Sequence, residues 1–86
     1  MSVYVDPISP CIRGKRWPYN EACHLIADSI NELHEFALWL GLKRLWFQDK
    51  TIPHYDLTKG MRRKAVVLGA IEIDVKTFVR KMRELQ

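Results

Sequence analysis

The chain has 86 residues, 48% of them hydrophobic and 28% charged, with a formal net charge of +4 at pH 7. This length allows one small core and leaves no room for two, the composition is that of a folded globular protein and not a disordered tail, and no apolar run approaches the roughly 18 residues of a membrane span. The charge, with a pI near 9.3, favours anionic partners without choosing among nucleotide, nucleic acid and acidic protein.

Residues 1–86 are accordingly expected to form a single compact domain. The opening Met1-Ser2-Val3-Tyr4-Val5-Asp6 lacks the basic and apolar regions of a secretory signal, so the expected location is cytoplasmic, with no membrane partner. Cys11 and Cys23 are the only cysteines. Without a CxxC spacing they form no zinc knuckle, and in a reducing compartment they stay free thiols.

In chain order, Val3-Tyr4-Val5 reads as a short strand closed by Pro7 and Pro10. Residues 7–21 mix Pro, Gly and Ser with Arg13, Lys15, Arg16, Trp17 and Tyr19, which predicts a long basic loop. Its cations and aromatics suit a base and a phosphate, or else Trp17 and Tyr19 anchor it to the core. Cys23 to Asp28 is a short apolar run consistent with a buried strand. Ser29 and Glu32 then form a capping box, and Ile30, Leu33, Phe36, Ala37 and Leu40 make one apolar face of a helix that stops at Gly41. Trp39 and Leu38 lie off that face, so either the helix is buried on two sides or it offers Trp39 to a second copy of the chain, and self-association is compatible with the sequence.

The aromatics of Leu42 to Gln48 predict a strand, with Asp49, Lys50 and Thr51 as a turn. Pro53-His54-Tyr55-Asp56-Leu57-Thr58 follows in extended form, since the residue before a proline is pushed out of the helical region. An imidazole, a phenol, a carboxylate and a hydroxyl in succession suit the rim of a pocket better than a core. Thr58 caps a helix with Lys59, Arg62, Arg63 and Lys64 on one side and Met61, Ala65 and Leu68 on the other, ending at Gly69. Its cations oppose the helix macrodipole, a conflict that an anion bound at that end would relieve. Ala70 to Ile73 reads as a final strand, and Asp74 caps a terminal helix whose apolar face is Val75, Phe78, Val79, Met82 and Leu85. The alternation predicts the α/β class, with a single small sheet of about four short strands and three helices.

The chain resembles a prokaryotic and phage family catalogued as a domain of unknown function, serial number four thousand and thirty-one. The resemblance rests on Tyr4-Val5-Asp6, Cys23-His24-Leu25-Ile26-Ala27-Asp28, Glu32-Leu33-His34 with Phe36-Ala37, Gly41-Leu42-Lys43-Arg44 with Trp46-Phe47-Gln48, and Pro53 to Thr58. It covers nearly everything from Val3 to Asp74. It implies a compact prokaryotic or phage protein and brings no activity with it.

Two kinds of site follow from the side chains. Imidazole and carboxylate suit zinc or manganese and proton relay, which makes His54 and Asp56 the candidate catalytic residues and His24, His54 and Asp6 candidate metal ligands. Their spacings match no metal motif, and His24, inside an apolar run, reads first as a core histidine. Cys23 and His24, neighbours on a strand, point to opposite faces and form no nucleophilic pair.

The other kind is a binding site in which Arg16, Arg62 and Arg63 hold phosphate, Trp17, Trp46 and Tyr55 stack, and His54 and Asp56 fix ribose or base. The leading expectation is a small protein that binds an anionic, nucleotide-like molecule, in a phage setting one that sequesters a host nucleotide. The alternative is a metal-assisted phosphoesterase or glycohydrolase acting on a nucleotide or nucleic acid. A nucleic-acid-binding or protein-binding accessory is the third. No cofactor is assigned by the sequence.

Overall fold

The computed structural model describes residues 2–15, 17–49 and 52–84. Six strands and three helices occur among them: β1 (Val3–Val5), β2 (Ser9–Pro10), β3 (Glu21–Ala27), α1 (Ile30–Leu40), β4 (Gln48–Asp49), β5 (Pro53–Leu57), α2 (Lys59–Val67), β6 (Ile71–Glu72) and α3 (Val75–Glu84). The sheet order is β4-β5-β3-β1-β6, with β2 paired to β3. The β1–β6 pair is parallel and the others are antiparallel, so the sheet is mixed.

β3 is central because it can be buried on both faces. Cys23, Leu25 and Ala27 point to one side, where they join Leu33, Ala37 and Leu40 of α1, Ala65 of α2, and Tyr55 and Leu57 of β5 in the main core. Ile26 points to the other side and packs with Ile52 and Phe78 of α3. The architecture is therefore helix, sheet, helix, with α1 and α2 on one face and α3 on the other.

The caps form where the sequence puts them. Ser29 accepts the Glu32 backbone N–H at 3.2 Å, although the Glu32 carboxylate takes the serine hydroxyl at 3.0 Å and leaves half of the capping box unmade. Gly41, at φ +99°, turns the chain out of α1, and Leu42 N–H closes on Ala37 C=O at 2.8 Å. Thr58 accepts from Met61 N–H at 3.2 Å, and Asp74 accepts from Thr77 N–H at 2.7 Å. Leu85, expected on the apolar face of α3, lies outside the described residues.

Two expectations are corrected. The sheet has six strands and not about four, because Ser9–Pro10 pairs with β3 inside the predicted loop and Gln48–Asp49 pairs with β5 as a separate short strand. The predicted strand from Leu42 to Gln48 is instead a 3-10 turn over Arg44–Trp46, with Trp46 N–H on Lys43 C=O at 2.9 Å and Phe47 N–H on Arg44 C=O at 3.1 Å, followed by the short β4. A strand would have to alternate a buried and a solvated face, whereas here Lys43, Arg44, Leu45 and Trp46 are all exposed in succession and only Leu42 and Phe47 turn inward.

Candidate metal centre

Strand alternation assigns the polar residues to one face. With Tyr55 and Leu57 in the main core, His54 and Asp56 of β5 point toward α3, as does His24 of β3 beside Ile26. His24 and Asp56 are direct cross-strand partners, and Gln48 of β4 is paired with His54. Asp6, just past β1, reaches the same place: its carboxylate accepts the His24 backbone N–H at 2.6 Å and lies 2.8 Å from His24 Nδ1.

One donor atom from each of His24, His54 and Asp56 lies within 4.8 Å of the others. Both rings are anchored through Nδ1, His24 to Asp6 and His54 to the Ile52 carbonyl at 2.8 Å. A carboxylate or carbonyl on Nδ1 fixes the tautomer that leaves Nε2 as a lone-pair donor. His54 Nε2 stands 3.5 Å from Asp56 Oδ1. That is long for a hydrogen bond, and two ligands of a tetrahedral ion with bonds of about 2.1 Å stand about 3.4 Å apart. The other Asp56 oxygen accepts from the Gln48 side-chain amide, which orients the carboxylate. Phe78 stacks on His24 at 5.0 Å and closes one side of the cluster.

The electrostatics set a proton in competition with an ion at His24 and keep Asp56 ionised. The hydrogen bond to Asp6 raises His24 above the usual imidazole value against the opposing effect of burial, with help from the charges of Asp6 and Asp56. Burial by itself would push Asp56 up, but the side-chain contacts with His54 and Gln48 and the neighbouring His24 together outweigh it, and the carboxyl sits below its ordinary range. Asp56 is therefore an anion at neutral pH. Cys23 is fully buried on the opposite face, and burial, then Asp6, pushes its thiol up to about 12. It is no nucleophile.

The candidates from the sequence separate into two sets. Asp6, His24, His54 and Asp56 come together, and His24, expected as a core histidine, keeps its side chain 38% exposed. The stacking set does not assemble around them. Tyr55 is buried on the other face with its hydroxyl 2.8 Å from His34 Nδ1, so its ring is core. Trp17 anchors the basic loop by donating to Glu21 C=O at 3.1 Å and packing edge-on against Tyr19. Trp46 is half exposed on the 3-10 turn, with the Lys43 ammonium 5.7 Å above its ring. Arg62 donates to Asp6 C=O at 2.8 Å and to Glu72 at 2.9 Å, Arg63 is exposed, and Arg16 lies outside the described residues. Gln48 and the Ile52 carbonyl were missed, because Gln48 gains its role only from the pairing of β4 with β5 and the carbonyl from the local turn of the chain into His54.

The profile of the family described as protein of unknown function DUF4031 matches residues 3–85. The chain belongs to this family. Neither the curated proteins nor the solved structures hold a significant match. The DUF4031 match spans all six strands and the three helices, so Asp6, His24, His54 and Asp56 all fall within it.

Proposed function

We propose that this DUF4031 protein is a metal-assisted hydrolase of phosphate esters on nucleotide-like molecules, with a zinc-class or manganese-class ion held by His24 Nε2, His54 Nε2 and Asp56. The observation that carries the reading is the convergence of three donor atoms from β3 and β5 within 4.8 Å, with both imidazoles already fixed through Nδ1. Three protein ligands leave a coordination position open, the arrangement of catalytic sites and not of closed structural ones. The chemistry such an ion would supply, if held by His24, His54 and Asp56, is Lewis-acid polarisation of a phosphoryl oxygen and a lowered pKa for water. In the hydrolysis, the water oxygen bonds to phosphorus as the P–O bond to the leaving group breaks. The water protons end on the leaving oxygen and in solvent.

The chain's own residues then have separate tasks. Asp6 holds His24 in the donor tautomer, Gln48 orients Asp56, and Phe78 shields one side of the cluster from water. The net charge of +4 favours an anionic substrate.

The test is metal analysis of the purified protein, followed by hydrolysis of bis(p-nitrophenyl) phosphate and a nucleotide panel with added zinc or manganese. The expected result is about one ion per chain and turnover, both lost in His54→Ala. A protein that takes up neither ion and is inert with both would overturn the reading.

A further inference from the structure

We infer that a groove between α2 and the segment after β1 binds the phosphate of a small, nucleotide-sized anion, separately from the metal cluster. Its volume is about 330 Å³, within the range of ligand pockets. Lys59, Arg62 and Arg63 line it with one carboxylate, Glu72, while Ile8 and Val66 supply apolar wall. Positive charge therefore exceeds negative charge in the groove.

Arg62 is its fixed point. Nε donates to Asp6 C=O at 2.8 Å and Nη1 to Glu72 at 2.9 Å, and the side chain is only 19% exposed. Those two bonds use part of the guanidinium, which has five N–H donors in a rigid fork. The remaining donors are held in place, and little side-chain entropy is left to lose when an acceptor arrives. Lys59 and Arg63 make no ion pair or side-chain hydrogen bond among the described residues, so their charge is available to the same acceptor.

Phosphate matches this set: it accepts a bidentate arginine contact and takes further charge from lysine. The Ile8 and Val66 wall suits the flat face of a base or sugar. A small molecule suits a groove of this volume, and the Glu72 carboxylate offsets part of its positive charge. This inference goes beyond the hydrolase reading and stands without a metal. The two places nevertheless share a support, since the Asp6 carbonyl takes Arg62 while its carboxylate takes His24.

The test is a titration of chelator-treated, metal-free protein with ADP and with inorganic pyrophosphate, followed by amide chemical shifts. Saturable shifts centred on Ile8, Lys59, Arg62 and Arg63 are expected. Arg63→Glu, at an exposed position, should weaken binding by at least about tenfold with an unchanged circular dichroism spectrum. Absence of saturation, shifts centred elsewhere, or equal affinity in Arg63→Glu would each overturn it. Tighter binding of a single-stranded oligonucleotide than of ADP, with steep salt dependence, would overturn it in favour of a polyanion. Because the metal is absent throughout, failure here leaves the hydrolase reading standing, and failure of metal uptake leaves the groove standing.

Discussion

The two faces of the sheet are built from the same strands and carry opposite chemical character. On the α1 and α2 side, β3 and β5 contribute Cys23, Leu25, Tyr55 and Leu57, all at 1% exposure or less. On the α3 side, the intervening residues are His24, His54 and Asp56, and the apolar part shrinks to Ile26, Ile52 and Phe78 with their partly buried neighbours. A two-residue period therefore separates the apolar core from the polar cluster at single-residue resolution. A small protein can place charged groups next to its core without disturbing it, provided the strands do not slip in register.

The contrast gives its largest effect on the apolar side. Leu25→Ala should cost about 2–5 kcal/mol, the usual loss for a buried leucine, measured by urea unfolding. Metal uptake per folded molecule should stay unchanged. On the polar side, Asp6→Ala should reduce zinc affinity by about 10–100-fold, read by competition with a chromophoric chelator, because His24 loses the anchor that fixes its tautomer. Gln48→Ala acts on the same scale through Asp56, and wild-type affinity in both variants would remove the proposed division of labour. Gly41→Ala, remote from both faces, should cost about 1–2 kcal/mol, since its φ of +99° strains any residue with a Cβ.

The smallest effect concerns pH. Burial, then the charge of Arg44, holds His34 below the usual imidazole value. The folded state thus binds a proton less readily there than the unfolded chain, and this stability is fully present above the unfolded pKa of about 6.5 and is lost as pH falls through the lowered folded value. Structurally, the Tyr55 hydroxyl lies 2.8 Å from His34 Nδ1, and a protonated ring has no lone pair with which to accept it. Unfolding midpoints at pH 7 and pH 5 should therefore differ less in His34→Gln than in the parent chain.

Local chemistry made much of the fold legible. Ser29, Thr58 and Asp74 mark helix starts by what their side chains accept, Gly41 marks a stop by a conformation that favours glycine, and Val3 to Val5 and the apolar run from Cys23 are strands. The segment after Gly41 misled because Trp46 and Phe47 carry strand propensity while the flanking Lys43, Arg44 and Leu45 stay in solvent, a matter decided by tertiary packing. At the site, His54 and Asp56 stood out as polar residues in an extended run. His24 is a candidate ligand by residue type, but its place beside Asp56 comes only from the antiparallel register of β3 on β5, and Gln48 belongs to a two-residue strand with no sequence signature. Tyr55 shows the converse: its polar neighbours suggested a ligand platform, and alternation turned it inward.

The outer strands bear on how the protein behaves at high concentration. β2, β4 and β6 are each two residues long, and they end in Pro10, Asp49 and Glu72 respectively. Unpaired strand rims are templates on which one chain recruits another into cross-β fibrils, and short rims ending in a proline or a carboxylate make poor templates. The chain can expose Leu38, Trp39, Leu45 and Val67 on its surface without also presenting a polymerising edge. Among the described residues, the short strand rims favour contacts between copies through side chains of helices and turns over strand pairing.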